Sequence, residues 1–156
     1  MRWLFFVFIP SLLSASSLEL DPQSWKLGYE ATDDSMSLYE YTLNNETVDN
    51  WTELVTIHYS PPLQITLARY FNQCLTFLRH LSSEYPLNTR IISSSKTSLF
   101  FEWWINEGSL AQHEWCSIIS APDALFLVRY TTKKLDKVEE IRPLWEKLLS
   151  EVELFE

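Results

Sequence analysis

The chain has 156 residues, of which 46% are hydrophobic and 15% aromatic, enough for one domain with a substantial core and too apolar for a disordered chain. Twelve Lys and Arg stand against 21 Asp and Glu, a formal charge of −9, which disfavours nucleic acid and anionic lipid surfaces as partners. Only Gly28 and Gly108 are glycines, so a phosphate-cradling loop is not expected, and no cofactor is implied.

Residues 1–16 have the layout of a secretory signal peptide: Arg2 as a positive start, an apolar stretch from Trp3 to Leu13, and small Ser14 and Ser16 ahead of a cut after residue 16. The alternative, a membrane anchor, is poorly served by an apolar run shorter than the roughly 20 residues of a spanning helix and broken by Pro10. The expected organisation is thus a leader over 1–16 and a single domain over 17–156. The destination is secreted or periplasmic, with no stable membrane insertion after cleavage.

Beyond a polar lead-in over 18–24, Trp25–Thr32 and Met36–Leu43 read as two strands joined by the turn-prone Asp33-Asp34-Ser35. Asn44 to Thr47 break the second strand. Thr47 then suits an N-cap, and Val48, Trp51, Leu54 and Val55 recur at helical spacing, which predicts a short helix over 48–55 running into an extended 56–60. The competing reading is a strand from Thr52 to Tyr59. After the break at Pro61-Pro62, Leu67, Phe71, Cys74, Leu78 and Leu81 form the stripe of a long helix with one buried face.

Residues 88–131 read as a four-strand meander: 89–94, 98–106, 113–120 and 124–131. The second strand puts Leu99, Phe101, Trp103 and Ile105 on one face and Phe100, Glu102 and Trp104 on the other, so both faces carry aromatic bulk. A closing helix follows. Asp136 and Glu139 resemble a capping box, and Val138, Ile141, Trp145, Leu148 and Val152 form its stripe, with Pro143 an awkward interior residue where the helix kinks or begins. The expected fold is α+β: an antiparallel sheet of about six strands packed by a long central helix and a C-terminal helix.

No nucleophile elbow and no zincin pattern is present. Cys116 lies three residues from His113, a spacing that sends strand side chains to opposite faces, so a core thiol and a surface histidine are expected rather than a catalytic pair. Glu102, inside an aromatic strand, is the carboxylate of most interest. Burial would raise its pKa, and a solvent-facing or salt-bridged glutamate is the plainer alternative. The basic cluster Arg129, Lys133, Lys134 and Lys137, followed at once by Glu139 and Glu140, reads as a solvated turn. An oxidising compartment allows one disulfide between Cys74 and Cys116, or both remain small buried thiols. Asn45-Glu46-Thr47 and Asn50-Trp51-Thr52 match the glycosylation acceptor, which matters only in a eukaryotic source. Trp103, Trp104 and Trp115 are the candidate binding residues, against the reading that they pack under the two helices.

The segment Leu38-Tyr39-Glu40-Tyr41-Thr42-Leu43 followed by Val48-Asp49-Asn50-Trp51-Thr52-Glu53-Leu54-Val55-Thr56 resembles the strand and x-x-W-T-E-L passage of small exported bacterial proteins. The element order is similar to the PsbP-like fold, shared by photosystem accessory proteins and the bacterial envelope protein DcrB. The resemblance implies a non-enzymatic accessory or binding domain whose partner is another envelope or secreted protein, and it transfers no catalytic residue. The rival expectations are a small secreted enzyme with a site built from scattered polar residues, and a secreted effector acting on a host.

Overall fold

The computed structural model describes residues 17–18 and 23–152; the expected leader over 1–16 lies outside them. Its eight strands are β1 Ser17–Leu18, β2 Trp25–Thr32, β3 Ser37–Leu43, β4 Glu53–Ser60, β5 Asn88–Ser94, β6 Ser98–Ile105, β7 Gln112–Ser120 and β8 Leu125–Thr132. Helix α1 (Leu67–Leu81) connects β4 to β5, and α2 (Val138–Ser150) closes the described chain after a 3-10 turn at Leu135–Lys137. One sheet holds all eight strands in the order β1-β2-β3-β4-β8-β7-β6-β5, every pair antiparallel. Two meanders, β1 to β4 and β5 to β8, therefore meet at the β4–β8 seam.

The sheet exceeds the six strands expected because of the two-residue β1 and because β4 replaces the short helix expected over 48–55. Helical spacing there is incidental. Residues 44–52 form a hydrogen-bonded hook: Thr47 and Asn50 bridge each other, and the Glu46 carboxylate accepts from the Thr52 amide (2.9 Å) and hydroxyl (2.5 Å). Burial of Val55 and Ile57 on one face of β4 and Thr56 on the other decides for the strand, the competing reading. The β2–β3 turn forms as its residues suggest, with Asp33 Oδ1 accepting from the backbone amides of Ser35 and Met36, each at 2.8 Å.

The helices lie on opposite faces. Helix α1, capped by Thr66 accepting from the Arg69 amide at 3.3 Å, buries Leu67, Phe71 and Leu75 against Leu99, Phe101, Trp103 and Ile118. Its expected stripe is corrected at the end, where Leu81 is 54% exposed. Helix α2 buries Val138, Trp145 and Leu149 against Trp25, Tyr41, Trp115 and Tyr130. There Trp145 stacks on Tyr130 with centroids 3.7 Å apart, and Trp25 meets both rings edge-on. The capping box is not formed: Asp136 lies in the 3-10 turn, α2 starts at Val138 without a side-chain cap, and Glu139 pairs with Arg142 instead. The helix runs unbroken through Pro143.

Candidate functional site: a buried charge cluster beside a cleft

Strand β6 places Glu102 on the α2 side of the sheet, opposite Arg90 of β5 and Trp115 of β7. Two residues on, Trp104 faces His113 of β7. Arg142 reaches the same point from α2. The Glu102 carboxylate, 1% exposed, accepts from His113 Nε2 at 2.7 Å, from an Arg142 guanidinium nitrogen at 2.6 Å, and from Arg90 Nε. Arg142 also pairs with Glu139 (3.0 Å) and Glu146 (3.2 Å), and Arg90 with Glu146 (2.6 Å).

Burial alone pushes the Glu102 carboxyl up, but hydrogen bonds from His113, Arg142 and Arg90 outweigh it and hold the group below the ordinary carboxylate range. The rise in pKa expected from burial is therefore corrected, and the salt-bridged alternative describes this residue. His113 is the converse: burial pushes its pKa down, and the neighbouring Glu102 recovers only part of the loss. The ring is neutral at pH 7, so its Nε2–H donates to Glu102. At 4% exposure His113 is buried rather than the expected surface histidine, because it alternates in phase with Trp115. Cys116 does face the other way, opposite Phe101 and Arg129.

A cleft of about 260 Å³ opens beside the cluster. Trp104, Asn106 and His113 form its sheet wall, and Leu135, Val138, Glu139 and Arg142 its helix wall. Among the described residues no hydroxyl or thiol side chain lines it. Among the described residues no group of three metal-ligating side chains forms. The cluster joins β5, β6, β7 and α2.

The other two carboxylates buried among the described residues are matched in the same way. Glu53 accepts from Gln23 Nε2 (2.8 Å), Tyr130 Oη (3.0 Å) and Lys134 Nζ (2.5 Å). Glu114, on the α1 side, accepts from Trp103 Nε1 and Thr131 Oγ1, both at 2.9 Å, with Arg129 4.0 Å away. The basic cluster is thus no free solvated turn: Lys134 holds Glu53, Lys133 sits 3.9 Å over the Trp51 ring, and Arg129 belongs to β8.

The candidate tryptophans divide between the faces. Trp103 is buried beneath α1 and Trp115 is buried on the α2 side. Trp104 is half-buried, its ring parallel to His113 at 5.2 Å, with Trp115 on the imidazole at 4.2 Å. Cys74 is half-buried and Cys116 buried, both free thiols, and burial pushes both pKa values up, which makes them poor nucleophiles. Arg90 and Arg142 escaped sequence reasoning, and His113 entered it only as a surface residue. The available signal was Glu102 on the same face as Phe100 and Trp104: a carboxylate on a covered aromatic face requires a cation.

A family model matches residues 14–101, more than half of the chain. The chain belongs to that family. No curated protein matches it. The fold is similar to the solution structure of cyanobacterial PsbP (CyanoP) from Synechocystis sp. PCC 6803, with a TM-score of 0.52 at 11% identity over 91% of this chain and 99% of that one. At that identity the likeness concerns the fold, which is PsbP-like α+β.

Proposed function

We propose that this protein is an exported, non-catalytic binding or accessory module of the cell envelope whose partner is another envelope or secreted protein. The observation that carries the reading is the saturation of the buried acids: Glu53, Glu102 and Glu114 are each engaged by neighbouring donors and act as fasteners, not as acid–base groups. Export is supported by the signal-like layout of residues 1–16, by the family match starting at residue 14, and by Ser17, the first residue after the expected cut, pairing in β1.

The contact surface in this reading is the outer edge of β5, a terminal strand whose residues are largely exposed and which runs beside half-buried Trp104. An open edge offers unpaired backbone groups to an extended segment of a partner. The test places a photo-crosslinking residue at Ile91 on β5 or, as a control, at Phe77 on α1, in the full chain made in its native host. The expected result is a chain beginning at Ser17 in the envelope or medium, with a discrete adduct from Ile91 and none from Phe77. A cytoplasmic chain that keeps residues 1–16, or equal labelling at the two positions, refutes the proposal.

A further inference from the structure

We infer that the place over Arg129, between α1 and the half of the sheet that no helix covers, binds a small uncharged aromatic amide through its carbonyl oxygen. Helix α1 packs on residues of β6, β7 and β8, while α2 lies on the opposite face. Among the described residues, the α1 side of β2, β3 and β4 therefore has no helix above it. Arg129 stands at this boundary on the central strand β8, in a row that runs Glu40, Thr56, Arg129, Cys116 across four strands. Its side chain is 36% exposed, and His58, Tyr70 and Cys74 lie within its electrostatic reach. The place is distinct from the His113 cleft and from the β5 edge, so the inference does not rest on the partner contact proposed above.

Arg129 differs from the other cations that meet buried carboxylates. Arg90, Arg142 and Lys134 each donate a hydrogen bond to one. The Arg129 guanidinium donates none among the described residues: its Nε is buried without an acceptor, and the Glu114 oxygen that pairs with it is 4.0 Å away, beyond hydrogen-bond reach. Glu114 is not free to close the gap, because both its oxygens already accept, from Trp103 Nε1 and Thr131 Oγ1. A buried donor left this way favours a ligand that brings an acceptor, and the exposed third of the side chain is where a ligand reaches the fork. The surroundings specify which acceptor. Glu114 and Glu40 already face this one positive charge, so a third carboxylate meets repulsion, whereas a neutral carbonyl does not. Burial and Arg129 push the His58 pKa down, and burial pushes the Tyr70 phenol up to about 12, so both are neutral at pH 7 and add no charge. An amide supplies the acceptor for Arg129 and an N–H that the Glu40 carboxylate can accept, and an aromatic body matches the Tyr70 ring.

The test titrates benzamide, with benzoate as its charged isostere, into the full chain and follows backbone amide and arginine Nε–H NMR shifts. Saturable shifts at Arg129 Nε–H, Thr56, His58 and Cys74 are expected, with benzoate at least about tenfold weaker because two carboxylates already stand there. R129M removes every donor and keeps an apolar stem. It weakens benzamide binding at least about tenfold, as the loss of hydrogen bonds from a charged group implies. Circular dichroism checks that the variant is folded. Should R129M fail to fold, R129K, which keeps the charge but not the planar fork, takes its place with a loss of the same sign. Unsaturable or scattered shifts, benzoate binding as tightly as benzamide, or an unchanged affinity in the folded variant each overturn the inference.

Discussion

Replacing Glu102 by Gln tests whether the charge cluster fastens α2 to the sheet. The substitution keeps size and one acceptor for His113 but removes the charge that Arg90 and Arg142 share. Breaking a buried ion pair from one side costs about 3–5 kcal/mol when the abandoned charge stays buried. Here the abandoned charges are less confined: the Arg90 side chain is 50% exposed, and Arg142 retains Glu139 and Glu146. The expected loss is therefore about 2–3 kcal/mol, since exposed partners regain hydration. For a domain of this size that lowers Tm by roughly 6–12 °C. Urea denaturation monitored by tryptophan fluorescence and by far-UV circular dichroism gives the value. The double variant E102M/R142M, which replaces both charges with apolar groups, should recover most of the loss. A loss below about 0.5 kcal/mol in E102Q, the range of ordinary surface substitutions, would show that the cluster holds nothing together.

The histidines give the protein an acid limit. Burial lowers the pKa of His113, between Glu102, Arg142 and Glu139, and that of His58, which lies near Arg129. The unfolded chain thus takes up protons first: stability is full above the unfolded value of about 6.5 and declines as pH falls below it. Glu102, whose pKa is lowered, adds a second loss below about pH 4.3, the ordinary glutamate value. Urea midpoints from pH 8 to 2 should trace both phases, and H113Q should flatten the upper one; a flat wild-type profile contradicts the burial argument. W145A empties a site stacked on Tyr130 and should cost about 3–5 kcal/mol, while F77A, at a position 61% exposed, should stay within about 0.5 kcal/mol in the same denaturation series. Gly108 has φ +80°, and an added Cβ would lie 2.1 Å from the Tyr85 ring, so G108A should destabilise by about 1–3 kcal/mol in thermal melts.

Much of the architecture was legible in the residues. The meander declared itself through turn clusters at regular spacing, and α1 through Pro61-Pro62 and the stripe beginning at Leu67 and Phe71. What local pattern could not decide was β4. Val48, Trp51, Leu54 and Val55 fit a helix, yet residues 53–60 supply the central strand that joins the two meanders, and that pairing with β3 and β8 is a long-range fact. The candidate site was half legible. Glu102 stood out as a carboxylate on an aromatic face. Its partners Arg90 and Arg142 come from residues 12 before it and 40 after it, brought together only by the sheet and α2.

The buried acids also bear on how this sheet keeps its register. In most half-buried strands a slip of one residue exposes the apolar face, which is what forbids it. On β6 that penalty is weak, because Leu99, Phe101 and Trp103 on one face are matched by Phe100 and Trp104 on the other. The charged groups supply the missing discrimination. Glu102 finds two guanidiniums and an imidazole only on the α2 side, and Glu114 finds Trp103 and Thr131 only on the α1 side. A slip would leave both carboxylates buried and unpaired, several kcal/mol less stable. The recovery of stability expected of E102M/R142M and this role in register are therefore separable: the double variant should melt near the parent temperature while its amide NMR spectrum broadens or doubles along β6 and β7. A single sharp set of resonances from that variant would mean that shape alone holds the strands in place, and that these acids are retained for some other reason.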